Sequence, residues 1–158
     1  MDKKPSATRR QMLATAGGLA LVLIVRPSQA QLQAKPAALS QAIRKVVGDA
    51  TMTKGKVHLD VPPLSENGNT VAISVSVDSP MTPAAYVKAI HVLTEKNPQP
   101  NVISIRLGPR AGKASISTRM RLSDTQMVTA IAELSDGSFW FDTGSVIITL
   151  GACLEDLI

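Results

Sequence analysis

From Val57 onward, apolar and polar residues alternate with a period of two. Val57, Leu59 and Val61 alternate with His58 and Asp60, and the run stops at Pro62-Pro63. Val71, Ile73, Val75 and Val77 alternate with Ala72, Ser74 and Ser76. Ala114, Ile116, Thr118, Met120 and Leu122 alternate with Ser115, Ser117, Arg119 and Arg121. Successive strand side chains point to opposite faces, so this spacing predicts strands with one buried and one wet face. Residues 102–107, 127–134, 138–142 and 146–150 read as further strands. The period of 86–96 is mixed, and Val87, Ile90, Val92 and Leu93 decide it for a strand. Turn signals separate the runs: Glu66-Asn67-Gly68-Asn69, Asp78-Ser79-Pro80, Asn97-Pro98-Gln99-Pro100, Gly108-Pro109-Arg110-Ala111-Gly112 and Asp136-Gly137.

Ahead of the strands, Ala38, Leu39, Ala42, Ile43, Val46 and Val47 fall near helical spacing. Pro36 suits a first helical turn and Gly48 a stop, which predicts one short N-terminal helix within 31–50. Seven or eight short strands with regular turns and almost no helix predict a mainly β, immunoglobulin-like antiparallel β-sandwich. With a single cysteine, the inter-sheet disulfide of antibody domains is absent, so the comparison is one of architecture. The expected division is a helical segment at 31–56, a sandwich at 57–150 and a C-terminal arm at 151–158.

Residues 1–30 read as an address. Arg9-Arg10 precede a mostly apolar run at 12–25, and Ser28 and Ala30 suit cleavage before Gln31. Fourteen residues fall short of the roughly 20 needed to span a bilayer, and Thr15, Gly17 and Gly18 dilute them further, so no stable membrane anchoring is expected. Paired arginines point to the twin-arginine route and a periplasmic mature protein. That route carries proteins already folded, and a partner subunit without its own signal would give early folding a purpose.

Charge changes the picture less than its total suggests. The 158 residues carry a formal +5, but 1–30 hold five cations and one anion, leaving 12 cations against 11 anions. A near-neutral domain without a basic stripe excludes a nucleic-acid reading. Four aromatics among 158 residues leave little for base stacking.

Candidate chemistry is sparse. His58 and His91 are the only histidines, on separate predicted strands, and structural or surface roles suit both. No CxxC, paired-His spacing or glycine-rich phosphate loop occurs, so no metal site, cofactor or catalytic residue is assigned. Phe139-Trp140-Phe141 holds three of the four aromatics and reads as core packing, with a docking patch as the alternative. Cys153 stands apart: it follows the last apolar run through Gly151-Ala152, with five residues after it. An unpaired cysteine in an exported protein suggests intermolecular pairing or a reactive thiol. Leu150-Gly151-Ala152-Cys153 matches a lipoprotein box, but that box works only at a signal-peptide junction.

Several motifs together resemble the SoxY family of thiosulfate-oxidation carrier proteins. They are Glu66-Asn67-Gly68-Asn69-Thr70-Val71, Val77-Asp78-Ser79-Pro80-Met81-Thr82, Ile90-His91-Val92, Glu95-Lys96-Asn97-Pro98, Ser117-Thr118-Arg119 and Ser135-Asp136-Gly137-Ser138. The likeness runs from about Leu64 to Cys153 and includes the twin-arginine signal. It implies an immunoglobulin-like sandwich paired with a SoxZ-type subunit, and a swinging arm whose cysteine holds sulfur intermediates covalently. Cys153 is the matching position, with Gly151, Ala152 and Leu154 in the arm. The family scheme implies three partners acting on the bound sulfur: a haem enzyme that conjugates thiosulfate oxidatively, a hydrolase that releases sulfate, and a dehydrogenase. The carrier is itself not an enzyme.

The arm departs from the family's Gly-Gly-Cys-Gly-Gly. Here it reads Gly151-Ala152-Cys153-Leu154-Glu155-Asp156-Leu157-Ile158, with one glycine and two carboxylates beside a thiol that reacts as thiolate. The alternative reading is a non-carrier interaction or regulatory paralogue with the same fold and a degenerate arm.

Overall fold

The computed structural model describes residues 34–152, with side chains from residue 37. The expected signal at 1–30 and the positions Cys153 and Leu154 lie outside the described residues. Helix α1 covers Ala34–Val47. Nine strands follow: β1 (Met52–Lys54), β2 (Val57–Asp60), β3 (Leu64–Ser65), β4 (Val71–Val77), β5 (Val87–Thr94), β6 (Asn101–Arg106), β7 (Ser115–Met120), β8 (Gln126–Leu134) and β9 (Phe139–Ile148). A 3₁₀ turn at Pro109–Ala111 lies between β6 and β7.

Two sheets face each other in the immunoglobulin-like manner expected. The larger runs β1-β9-β8-β5-β6 with β3 also beside β9, and the smaller runs β2-β4-β7. The alternation in β4 decides which side chains enter the core: Val71, Ile73, Val75 and Val77 are buried, with Ala72 and Ser76 exposed. They meet Ile90 and Val92 of β5, Val128, Ala130 and Ala132 of β8 and Val146 of β9. Full burial of a valine- or isoleucine-sized side chain contributes about 1.5–3 kcal/mol, so this inter-sheet layer is the main stabilising block.

The outer face of the larger sheet has its own small core. Leu93 and Ile131 are fully buried there beneath Val47, with Leu39, Ala42, Ile43 and Val46 of α1 and Met52, Phe139 and Phe141 of the sheet. Gly48 ends the helix in the left-handed region (φ 63°), donating its N–H to the Arg44 carbonyl at 2.8 Å.

Two local features differ from the sequence expectation. The two runs expected as separate strands at 138–142 and 146–150 form one continuous strand, β9, over Phe139–Ile148. The polar stretch that suggested a break has packing roles: Asp142 Oδ2 accepts the Leu59 N–H at 3.1 Å, and a Cβ at Gly144 would stand 2.7 Å from Val61 Cγ2. Strand β9 thus passes β2 at close range without ladder pairing. Secondly, β1 and β3 pair with β9 in parallel, so the sandwich is not wholly antiparallel. At three and two residues, these strands are too short to produce a period. The reading of Phe139-Trp140-Phe141 as core packing holds: Phe139 and Phe141 lie beneath α1 and Trp140 against the inter-sheet core. Lys56 Nζ stands 4.4 Å from the Trp140 ring centroid.

Candidate functional site

The chain approaches Cys153 through a tightly held end of the sandwich. After β9, the Leu150 carbonyl accepts the Gly68 N–H at 2.7 Å. The Gly68 carbonyl accepts from Leu122 N at 2.8 Å, and the Leu122 carbonyl accepts from Ala152 N at 2.9 Å. Three segments of backbone are thereby stitched together: the loop after β3, the turn after β7 and the exit strand. Ala152 is 1% exposed.

Glycine is required at two points by space. A Cβ on Gly68 would collide with the Leu122 carbonyl and stand 2.7 Å from Ala152 N. A Cβ on Gly151 would collide with the Ser123 carbonyl. In both cases the obstacle is backbone, which cannot swing aside as a side-chain tip can. These are close-approach glycines, and neither has a positive φ.

The turn that receives Ala152 is braced from behind. Asn97 Oδ1 accepts from Ser123 N at 3.0 Å and from Gln126 Nε2 at 2.9 Å, while Asn97 Nδ2 donates to the Arg121 carbonyl at 2.8 Å. Buried Gln126 accepts the Lys96 N–H at 2.7 Å, and Ser123 Oγ donates to the Lys96 carbonyl at 3.0 Å. Lys96 Nζ and Asp124 Oδ2, 2.9 Å apart, close the outside. Every polar group in this brace has a partner, which is the condition under which a part-buried polar network rigidifies a site.

Of the residues singled out in sequence, Gly151 and Ala152 belong to this held end. Cys153 follows Ala152 directly, outside the described residues, as does Leu154. The histidines are elsewhere and apart. His58 Nε2 lies 2.8 Å from Asp78 Oδ2 on the surface. His91 Nδ1 lies 2.8 Å from Ser104 Oγ, and burial pushes its pKa below the usual value, with Glu133 opposing and Arg106 assisting. No group of three or more His, Cys, Asp or Glu able to hold a metal ion occurs among the described residues.

Sequence reasoning treated Gly68 as a turn residue and missed Asn97, Ser123 and Gln126 as a brace. The signal was present in the motifs quoted for the family resemblance. Glu66-Asn67-Gly68-Asn69 supplies the clamp and Glu95-Lys96-Asn97-Pro98 the brace. Segments 78–82 and 135–138 lie at the other end of the sandwich, where Tyr86 N donates to Ser135 Oγ at 3.1 Å and Met81 packs into the core.

Comparisons with known proteins agree with this frame. The family described as sulfur oxidation protein SoxY matches residues 43–153, ending on the cysteine. No curated protein matches the chain in sequence. Among solved structures, the sulfur carrier protein SoxY from Chlorobium limicola f thiosulfatophilum is similar, with a TM-score of 0.61 and 24% identity, covering 73% of this chain and 99% of that one. A superoxide reductase (neelaredoxin) from Ignicoccus hospitalis gives 0.54 and 13% identity, covering 60% of this chain and 80% of its own. One described as a putative superoxide reductase from Thermotoga maritima gives 0.51 and 15%, covering 62% and 87%. At these identities the structural likeness is one of fold.

Proposed function

The chain belongs to the SoxY family of sulfur oxidation proteins, and from that premise we propose that it is a periplasmic sulfur carrier that works through Cys153. Export is by the twin-arginine signal at Arg9-Arg10, and the folded chain travels with a SoxZ-type subunit. The observation that carries this reading is that the family match runs to Cys153, and that Ala152, the residue directly before it, is buried and bonded to the Leu122 turn.

The chemistry asks for one nucleophilic sulfur. A cysteine thiolate and thiosulfate join through a new S–S bond, giving a cysteine S-thiosulfonate, and two electrons leave to the haem enzyme that loads the carrier. Hydrolysis of the terminal S–S bond then releases sulfate and two protons and leaves a cysteine persulfide, which the dehydrogenase oxidises further. The carrier contributes the thiol and its position, and the partners contribute the redox and hydrolytic groups.

Cys153→Ser tests the reading. It removes no disulfide, because the sequence has one cysteine, so folding should be unchanged while thiosulfate-dependent mass gain is abolished. A wild-type chain that gains no sulfur from thiosulfate and the loading enzyme would favour the interaction-protein alternative.

A further inference from the structure

The exit clamp is built on the one Asn-Gly pair in the sequence, Asn67-Gly68. Asn67 stands exposed to water, and Gly68 beside it is buried. Both carbonyls of Asn67 are held. Its side-chain Oδ1 accepts the Asn69 N–H at 2.9 Å, and its main-chain oxygen accepts from Ser65 Oγ at 3.1 Å and Thr70 N at 3.4 Å. An N–H aimed at a carbonyl oxygen stabilises the negative charge that gathers there under nucleophilic attack. The nearest nucleophile in the chain is the Gly68 nitrogen, whose N–H is committed to the Leu150 carbonyl at 2.7 Å. One half of a reaction is in place, and the exit segment locks the other half.

We propose that Asn67 is a self-modification site gated by the clamp: it deamidates when Leu150 lets go of Gly68, and the product leaves the clamp open. This chemistry is independent of the carrier reading. Once its N–H is released, the Gly68 nitrogen gives up the proton and bonds to Asn67 Cγ. The Cγ–Nδ2 bond breaks, and ammonia leaves with the proton. Water opens the resulting succinimide at either of its carbonyls, giving aspartate or isoaspartate. Water is the one co-reactant, and no electrons change hands. Closure within a residue pair is favoured by proximity, and the missing Cβ of glycine leaves the nitrogen approachable. The other asparagines lack this advantage. Asn69 and Asn101 precede the β-branched Thr70 and Val102, and Asn97 precedes Pro98, which has no N–H. At the opposite end, Asp136-Gly137 has the same spacing, but Ser138 donates two hydrogen bonds to the Asp136 carboxylate and holds it ionised, a poor target for a nucleophile.

The effect on the clamp follows from the same bond. A succinimide nitrogen carries no hydrogen, so the Leu150 carbonyl loses its donor. Isoaspartate restores an N–H but adds a methylene to the main chain at a point without slack. A Cβ on Gly68 would already collide with the Leu122 carbonyl and stand 2.7 Å from Ala152 N. That crowding also excludes other residues at 68, so the glycine of the reactive pair is a condition of the clamp.

The test ages the full mature chain in mildly alkaline buffer, with its SoxZ-type subunit where the two copurify. Conversion at Asn67 is read by peptide mass and isoaspartyl methyltransferase labelling, and the clamp by hydrogen exchange across residues 150–152. The folded chain should convert about tenfold or more slowly than the urea-unfolded chain, because reaction waits on local opening. Asn97→Ala, which removes the brace behind the clamp, should speed conversion about threefold or more. Urea below the unfolding transition should do the same in wild type, so the test survives if that variant does not fold. The isoaspartate-bearing fraction, separated by its added charge, should exchange about tenfold faster across 150–152. Asn67→Gln, whose longer side chain closes a less favourable ring, should age without that change. Any of three results overturns the proposal: folded conversion as fast as unfolded, no folded conversion even in sub-denaturing urea, or an isoaspartate fraction whose exchange is unchanged.

Discussion

The two halves of the larger sheet's outer face meet two fates. Near α1, Ile131 of β8 and Phe139 and Phe141 of β9 lie on this face and a helix covers them, leaving Leu93 and Ile131 with no exposure. Toward the exit of the chain, Thr129, Thr143 and Ser145 interrupt the apolar row, and beyond them Met127 and Ile147 stand about half exposed with no described element over them. A covered apolar row stabilises the fold, and a bare one is surface kept available. The difference teaches where to look for function: at the end where Met127 and Ile147 lie outside the helix's cover, beside the held backbone that leads to Cys153.

The largest effect that sharpens this comparison is on stability. Ile131→Ala, beneath the helix, should cost about 2–5 kcal/mol in denaturant unfolding. Ile147→Ser on the bare half should stay within about 0.5 kcal/mol, as exposed substitutions usually do. Equal losses at the two sites would erase the distinction. Gly68→Ala should come next, at about 1–3 kcal/mol, because the added methyl meets backbone of both the Leu122 turn and the exit segment. It should also speed proteolysis after residue 150 by loosening the clamp. Asn97→Ala removes three hydrogen bonds and leaves part-buried Ser123 N–H and buried Gln126 short of partners, for about 1–3 kcal/mol at the same end.

The smallest effect is a pH dependence away from the exit. Burial lowers the His91 pKa below its ordinary 6.5, against Glu133 and with Arg106. As pH falls below about 6.5, the unfolded chain takes up this proton before the folded one, so stability falls until the folded imidazole also titrates. His91→Gln should flatten the change in unfolding midpoint between about pH 7.5 and pH 5.5. An unaltered slope would mean that other groups set it.

The sandwich was legible because its strands bury one face, and burial writes a period of two. β4 is the clearest case, with four valines and isoleucines inward and small polar residues between. The continuity of β9 was illegible because Asp142 and Gly144 are there for β2, a neighbour far away in sequence. The bare patch left a faint trace: Val146-Ile147-Ile148 is apolar on both faces, more than a half-buried strand requires. Cys153 was found by its isolation. The clamp was not, since Gly68 looks in sequence like any turn glycine and only the packed fold brings Leu122 and Ala152 against it.

The most direct measurement is the intact mass of the mature chain and of its C-terminal peptide after incubation with thiosulfate and the loading enzyme. The account predicts a thiosulfonate adduct on Cys153, lost on reduction and absent from Cys153→Ser. A wild-type chain that leaves this reaction with an unmodified thiol would contradict it.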